Sequence, residues 1–481
     1  MRYKICDNED EKSYNEWISQ FTENFEYFNP APQIEPETSI VSEEEKQFPI
    51  IAGDVHYPNC DKTVLSKEEL EQAQKCGFNV CSYPSISNGI ASGGNTYIIN
   101  SLENAKKAKV TLIFNTDNFY FSHKDENTGI KETIKGYMQQ FGGINLYDEP
   151  YYNQIVGDPD TEFDTTQKDD DINKLRRDYK DLMQQDVPKL IYINLVGAPG
   201  DRMPNEGDTN EAYEEYLNAF QDNFKPSFFC YDLYPIKERS RLLYEGFENV
   251  RTEGTQEGEI IVEKGKFYYD FELYRKVSQE HDRPFWAFCQ SLAFMKLDPV
   301  LYRPVALESY LSYEAFSALA YGAKGIRYWN YAMNDNGDNS RYFSALLNRR
   351  NEKTASWFFA KKINNLIHKY RNIFLLGKVT KISCVSEDSY NSEKLNIIIN
   401  TSSSEQEIVV SEINVKGDTD YVMMVNQSPL DYVEVIISIG TFPSITEMTP
   451  SKSGGPENQS LMFGTYRRTL IPGGFILLKK S

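Results

Sequence analysis

Histidine is scarce in this sequence: His56, His123, His281 and His368 are the only four in 481 residues. That scarcity weighs against a metal hydrolase or a Ser-His-Asp system, since both depend on imidazole. The seven cysteines stand singly, with no CxxC and no Cys/His spacing of a zinc site. Cys76 precedes a predicted strand and Cys81 lies within it, and Cys230 and Cys289 lie in apolar runs, which reads as buried free thiols. No metal or cofactor is therefore expected. No run of eighteen apolar residues exists, so no transmembrane segment is expected either. Positive charge is short, with 51 Lys+Arg against 71 Asp+Glu and a formal charge of −20. A nucleic-acid partner would need a basic stripe, and that balance argues against one.

What the chain has in quantity is aromatic surface, with 33 Tyr and 28 Phe. Such rings cover apolar ligand faces while keeping a polar tip, which suits a neutral ligand. Residues 1–47 read as a lead-in: a short helical pattern around Tyr14–Phe25, then a Pro/Glu-rich stretch. Within it, Cys6-Asp7-Asn8-Glu9-Asp10-Glu11 resembles the start of a mature bacterial lipoprotein, whose acylated Cys is followed by acidic residues. That resemblance implies a lipid anchor at Cys6 and a place outside the cytoplasm, at the cell surface or in the periplasm. An ordinary acidic tail on a cytoplasmic protein is the other reading.

From Phe48 a different rhythm begins. Apolar or β-branched runs predict strands at Pro49–His56, Phe78–Tyr83, Val110–Thr116, Gly143–Tyr147, Leu190–Val196, Ser227–Tyr231, Pro284–Cys289 and Gly325–Trp329. A helical pattern follows each one, over Lys67–Lys75, Leu102–Lys109, Lys131–Phe141, Ile172–Gln185, Glu211–Phe224, Asp270–His281, Tyr313–Tyr321 and Lys353–Tyr370. Eight βα units in strict alternation predict an α/β fold, a (β/α)8 TIM barrel over residues 48–371, with an open doubly wound sheet as runner-up. Residues 372–481 carry short strands without helices: Lys378–Cys384, Leu395–Asn400, Glu407–Val415, Tyr421–Val425, Tyr432–Ser438 and Phe475–Lys479. These predict a small antiparallel all-β sandwich domain.

In such a barrel the site lies at the carboxyl ends of the strands and in the loops that follow. That rule selects Asp54 and His56 after the first strand, Tyr83 after the second and Asp117 after the third. It adds Asp148 and Glu149 after the fourth and Asp232 and Tyr234 after the sixth. Trp286 and Gln290 come from the seventh strand and Trp329 from the eighth. Carboxylates on opposed strand ends, ringed by aromatic residues, suit cleavage of a glycosidic bond. One acid protonates the leaving oxygen, and a second carboxylate attacks or activates water. Glu149 is expected as the acid, because Asp148 and partial burial would keep its proton on. Asp232 is expected as nucleophile or base, with Glu308 and Asp117 in reserve, and the other residues as substrate-binding groups. Two further patterns fail their tests. Asp158–Asp164 lacks the central Gly of a calcium loop, and Gly89–Gly94 is not followed by the Lys of a phosphate cradle.

Gly143-Ile144-Asn145-Leu146-Tyr147-Asp148-Glu149-Pro150 resembles the strand-four motif of the large (β/α)8 glycoside hydrolase clan, where Asn-Glu-Pro carries the acid/base. Glu314–Tyr331 is similar to the helix-seven and strand-eight region of β-galactosidase-like hydrolases, and Leu470–Phe475 to the last strand of their sandwich. The resemblance spans roughly residues 48–481. It implies an O-glycosyl hydrolase acting on an oligosaccharide or polysaccharide, neutral or weakly charged. Two departures stand out: Asp148 replaces the clan's Asn, and strand seven ends Trp286-Ala287-Phe288-Cys289-Gln290 without the clan's nucleophilic Glu. The second departure keeps a rival open, a non-catalytic carbohydrate-binding protein on a degenerate barrel. A barrel lyase or epimerase is a further alternative, disfavoured by the lack of His and metal-ligand spacing.

Overall fold

The computed structural model describes residues 47–55, 64–82, 95–115, 134, 136–156, 175–176, 178–180, 182, 190–197, 210–239, 259–295, 301–333, 342–415, 419–441, 444–449 and 459–480. Cys6, His56, Tyr83, Gly89–Gly94, Asp117 and Asp158–Asp164 lie outside the described residues.

Eight parallel strands close into a barrel: β1 (Ile50–Ala52), β2 (Val80–Ser82), β3 (Thr111–Asn115), β4 (Phe141–Asp148), β5 (Ile191–Val196), β6 (Phe229–Asp232), β7 (Phe285–Gln290) and β8 (Ile326–Trp329). Closure is made where β8 pairs with β1, Ile326 opposite Ile50. Side chains alternate in and out along each strand. Ile51, Ile113, Tyr192, Cys230, Trp286 and Phe288 fill the interior, while Ile50, Ala52, Phe229 and Ala287 meet the helices outside. Gly325 faces the Trp286 ring, where an added Cβ would sit 2.7 Å from ring carbons.

The surrounding helices include Lys67–Lys75, Asn95–Ala108, Asn210–Phe224, Lys264–Glu280, Glu308–Ala320 and Ala355–Lys369. The first starts on a capping box: Ser66 Oγ accepts from Glu69 N at 3.2 Å, and Glu69 Oε2 accepts from Ser66 N at 2.6 Å. The helix expected over Lys131–Phe141 does not run to its end, because residues 136–140 are turns and Phe141 opens β4. Two local features settle the strand there. Phe141 stacks on Phe114 of β3 at 5.9 Å, and Gly143, at φ 147°, lies against the Leu190 carbonyl, where no side chain would fit.

Beyond the barrel, antiparallel strands begin at Lys378 and form a six-stranded and a four-stranded sheet around a shared apolar core, which includes Val410, Val422, Val435 and Ile437. Phe316 on a barrel helix packs on Phe475 of the sandwich, ring centres 4.2 Å apart. Lys324 Nζ, just before β8, donates to Phe374 O at 2.7 Å in the connecting segment. Among the described residues, no helix is long and apolar enough to cross a membrane.

One layer was not expected from the sequence. Ile236–Arg239, Ile260–Val262, Ala293–Met295, Leu301–Arg303 and Tyr342–Ser344 form a five-stranded antiparallel sheet. All five come from segments that follow β6, β7 and β8, so the sheet stands on the mouth side of the barrel.

Candidate active site

Three carboxylates converge where β4 and β6 end. Asn194 of β5 lies between them, only 3% exposed. Its Nδ2 donates to Asp148 Oδ1 at 2.9 Å and to Asp232 Oδ1 at 3.0 Å. Parallel register brings this about: Asp148 is opposite Asn194, and Val196, two residues on, is opposite Asp232.

Glu149 follows directly, and its N–H donates to Asn194 O at 2.8 Å. Its backbone is left-handed at φ 48°, as is that of Asp54 at φ 44° after β1. Non-glycine residues pay about 1–3 kcal/mol for unfavourable backbone regions, and such positions gather at functional sites. The turn after β4 is pinned from outside. Gln154 donates to Tyr147 Oη at 3.1 Å, and Tyr216 Oη donates to Pro150 O at 2.9 Å.

The charges are unevenly held. Burial, then the nearby charge of Glu149, then that of Asp148, pushes the Asp232 carboxyl well above the usual carboxylate range; hydrogen bonds from Asn194 and Tyr234 oppose the rise. Burial likewise pushes Asp54 up to about 6; Arg327 opposes this, Asp148 adds to it, and a hydrogen bond with Asn330 opposes it. Among the described residues, Asn194 Oδ1 and Asn330 Oδ1 are buried with no hydrogen-bond partner.

Aromatic residues wall the β6–β8 side. Tyr234 and Trp329 stack at 5.7 Å, and Phe294 of the mouth sheet meets Trp329 edge-on at 5.0 Å. Arg303 of the same sheet lies 5.8 Å from the Tyr234 ring centre.

Asp54, Asp148, Glu149, Asp232, Tyr234 and Trp329 are thus brought to one end of the barrel. Trp286 is not. Its place near the start of β7 puts it in the lower interior, stacked on Phe228 at 4.1 Å. Gln290 turns aside, donating to Leu292 O at 3.3 Å and Pro304 O at 3.1 Å. Glu308 opens a helix and pairs with Lys362 at 2.6 Å, far from the role of second carboxylate held in reserve for it. Asn194, Arg327, Phe294 and Arg303 were missed, whereas Asn330 follows Trp329 at the strand-eight end that the barrel rule selects. A polar residue inside an apolar strand was the available signal for Asn194 in Ile191–Val196 and for Arg327 in Ile326–Trp329. Among the described residues, no group of three or more His, Cys, Asp or Glu is arranged to hold a metal ion.

Glu314, behind β7, is 1% exposed and accepts from Gln290 N at 2.6 Å. Burial pushes its carboxyl up to about 8, opposed by that hydrogen bond and by Arg303. A raised carboxyl binds its proton more tightly in the folded than the unfolded chain. Its stabilising effect is therefore full below about pH 4.5 and is lost as pH climbs toward 8. Glu314→Gln keeps the size and the acceptor, so urea unfolding should show wild type losing stability relative to the variant from pH 5 to 8. Parallel pH profiles would show that Glu314 does not titrate in this window.

No protein-family model matches the chain. No curated protein matches it either. Solved structures do. A β-galactosidase from Bacillus circulans sp. alkalophilus is similar over 92% of this chain and 100% of its own, at 8% identity and TM-score 0.52. A β-L-arabinopyranosidase from Geobacillus stearothermophilus aligns over 91% of this chain and 97% of its own, at 9% identity and TM-score 0.40. The chain therefore shares its TIM-barrel and β-sandwich fold with that β-galactosidase structure.

Proposed function

We propose that this protein is a retaining glycoside hydrolase acting on a neutral glycan, with Asp232 as general acid/base and Asp148 as nucleophile. The observation that carries this reading is the Asn194 bridge. Two oxygens held by the two hydrogens of one amide nitrogen stand roughly 5 Å apart, the carboxyl spacing of retaining glycosidases, whereas inverting enzymes need room for a water.

The roles follow from the charges. Asp232, whose carboxyl is pushed well above the usual carboxylate range by burial and by Glu149, is the proton carrier and gives its proton to the leaving oxygen. Asp148 attacks the anomeric carbon as the bond to that oxygen breaks, leaving a glycosyl ester. Asp232, now a carboxylate, takes a proton from water; the water opens the ester and frees Asp148. Glu149, expected from the sequence as the acid, is assigned here as the negative charge that keeps the proton on Asp232. Asp54 at the same mouth suits the hydroxyl donor of an uncharged sugar when ionised. Tyr234, Trp329 and Phe294 supply a face on which a pyranose ring can rest.

A panel of 4-nitrophenyl α- and β-glycosides of neutral and acidic sugars tests the reading. At least one neutral glycoside should be cleaved, and uronides should not. Binding of sugars without cleavage of any would favour the non-catalytic carbohydrate-binding reading, for which the carboxylate-free end of β7 speaks.

A further inference from the structure

Arg327 is an unusual residue for the inside of a barrel. It lies on β8 between two rings, its guanidinium carbon 5.0 Å from the centre of Tyr192 of β5 and 5.1 Å from that of Phe288 of β7. It is 6% exposed. A buried guanidinium is costly unless an opposite charge and hydrogen bonds offset it. Two aromatic faces offset part of that cost. Its Nη2 donates to Ser82 Oγ of β2 at 3.4 Å, and the same oxygen accepts from Asp54 N at 3.1 Å. Ser82 thus ties the arginine to the left-handed residue at the end of β1.

We infer that Arg327 is a positioning residue that supplies the counter-charge of Asp54 and, through Ser82, which accepts from the Asp54 backbone N–H, fixes that turn at the barrel mouth, where the Asp54 carboxylate accepts from a sugar hydroxyl. The hydroxyl part rests on the glycosidase reading; the coupling of the two residues does not. Among the described residues, the groups acting on Asp54 are Arg327 from β8, Asp148 from β4, Ser82 from β2 and Asn330 after β8. Those facing Arg327 are Asp54, Tyr192, Phe288, Ser82 and Cys230 of β6. Arg327 is the positive charge in the first set, opposed there by the negative charge of Asp148. Without it, Asp54 would be an enclosed carboxyl beside a like charge, and would favour its protonated form, a donor rather than an acceptor.

The test is a ¹³Cγ-aspartate NMR titration, with the Asp54 signal assigned by its loss in Asp54→Asn. In wild type the inflection should fall near pH 6. In Arg327→Met it should move up by about one unit or more, and Arg327→Lys, which keeps the charge, should bring it most of the way back. An unmoved inflection in Arg327→Met overturns the inference. Should that variant fail to fold, the double variant Asp54→Asn/Arg327→Met decides. It leaves no unpaired charge and should fold better than the single variant, and equal failure of both also overturns the coupling. None of these measurements needs a substrate, so they stand apart from the glycoside panel. On a glycoside that wild type cleaves, Arg327→Met should raise KM and move the acid limb of kcat/KM upward, where a purely structural defect would lower activity evenly across pH.

Discussion

Asp232→Asn is expected to slow hydrolysis of a glycoside with a poor leaving group by about 10²–10⁴-fold, the usual contribution of a positioned general acid. Asparagine keeps the shape and can still accept from Asn194, whose amide lies 3.0 Å from Oδ1. It has no acidic proton to give. An aryl glycoside with a 2,4-dinitrophenyl group needs little protonation at the leaving oxygen, so its bond cleavage should be nearly spared. The ester would then accumulate, because its opening needs Asp232 as base, and a burst of phenolate followed by a slow phase should appear. Glu149→Gln should behave differently. It removes the largest neighbouring negative charge acting on Asp232, so the Asp232 carboxyl loses its proton at lower pH. The alkaline limb of the activity profile should therefore move downward, with catalysis retained on the acid side. If instead Glu149→Gln shows the leaving-group dependence and Asp232→Asn does not, the acid is Glu149, as the sequence alone suggested.

Asp148→Gly should cost more, on the order of 10⁴–10⁶-fold on every substrate, comparable to removing the attacking group from an enzyme that depends on one. Leaving-group quality should not soften the loss, since attack at the anomeric carbon is common to all. Azide added to the variant should restore part of the cleavage of an activated aryl glycoside, because the small anion can enter where the carboxylate stood. The glycosyl azide formed by that direct attack should carry the anomeric configuration opposite to the substrate. Activity within about tenfold of wild type would remove Asp148 from the chemistry.

The barrel was legible because its signal is repetitive. Each strand is a short β-branched or aromatic run with a 3.6-period helix behind it, and errors at single boundaries did not disturb the alternation. Phe141 shows the limit: its apolar neighbours fit a helix end until Phe114 and the Leu190 carbonyl, both distant in sequence, decide for the strand. The mouth sheet was invisible for a related reason. Strands such as Ile260–Val262 and Leu301–Arg303 are three residues long, too short for any period to register. The polar strand Gly464–Leu470 was missed in the sandwich because only Leu470 along it is buried.

At the site, strand-end position selected Asp148, Glu149 and Asp232 together, but roles could not be read from it. Those depend on Asn194, a single polar side chain within Ile191–Val196, and on which carboxyl is enclosed. Trp286 illustrates the converse. A tryptophan in a barrel strand can stand at either end, and only register places this one beside Phe228 in the lower interior.

The most direct measurement is mass spectrometry of the protein after incubation with a 2-deoxy-2-fluoro glycoside bearing a dinitrophenyl leaving group, matched to the sugar that the glycoside panel identifies. The fluorine slows ester opening, so a glycosyl-enzyme should accumulate, and the added mass should lie in the peptide containing Tyr147-Asp148-Glu149-Pro150, on Asp148. A label on Asp232, or hydrolysis with inversion and no label at all, would contradict the assignment of Asp148 as nucleophile and Asp232 as acid.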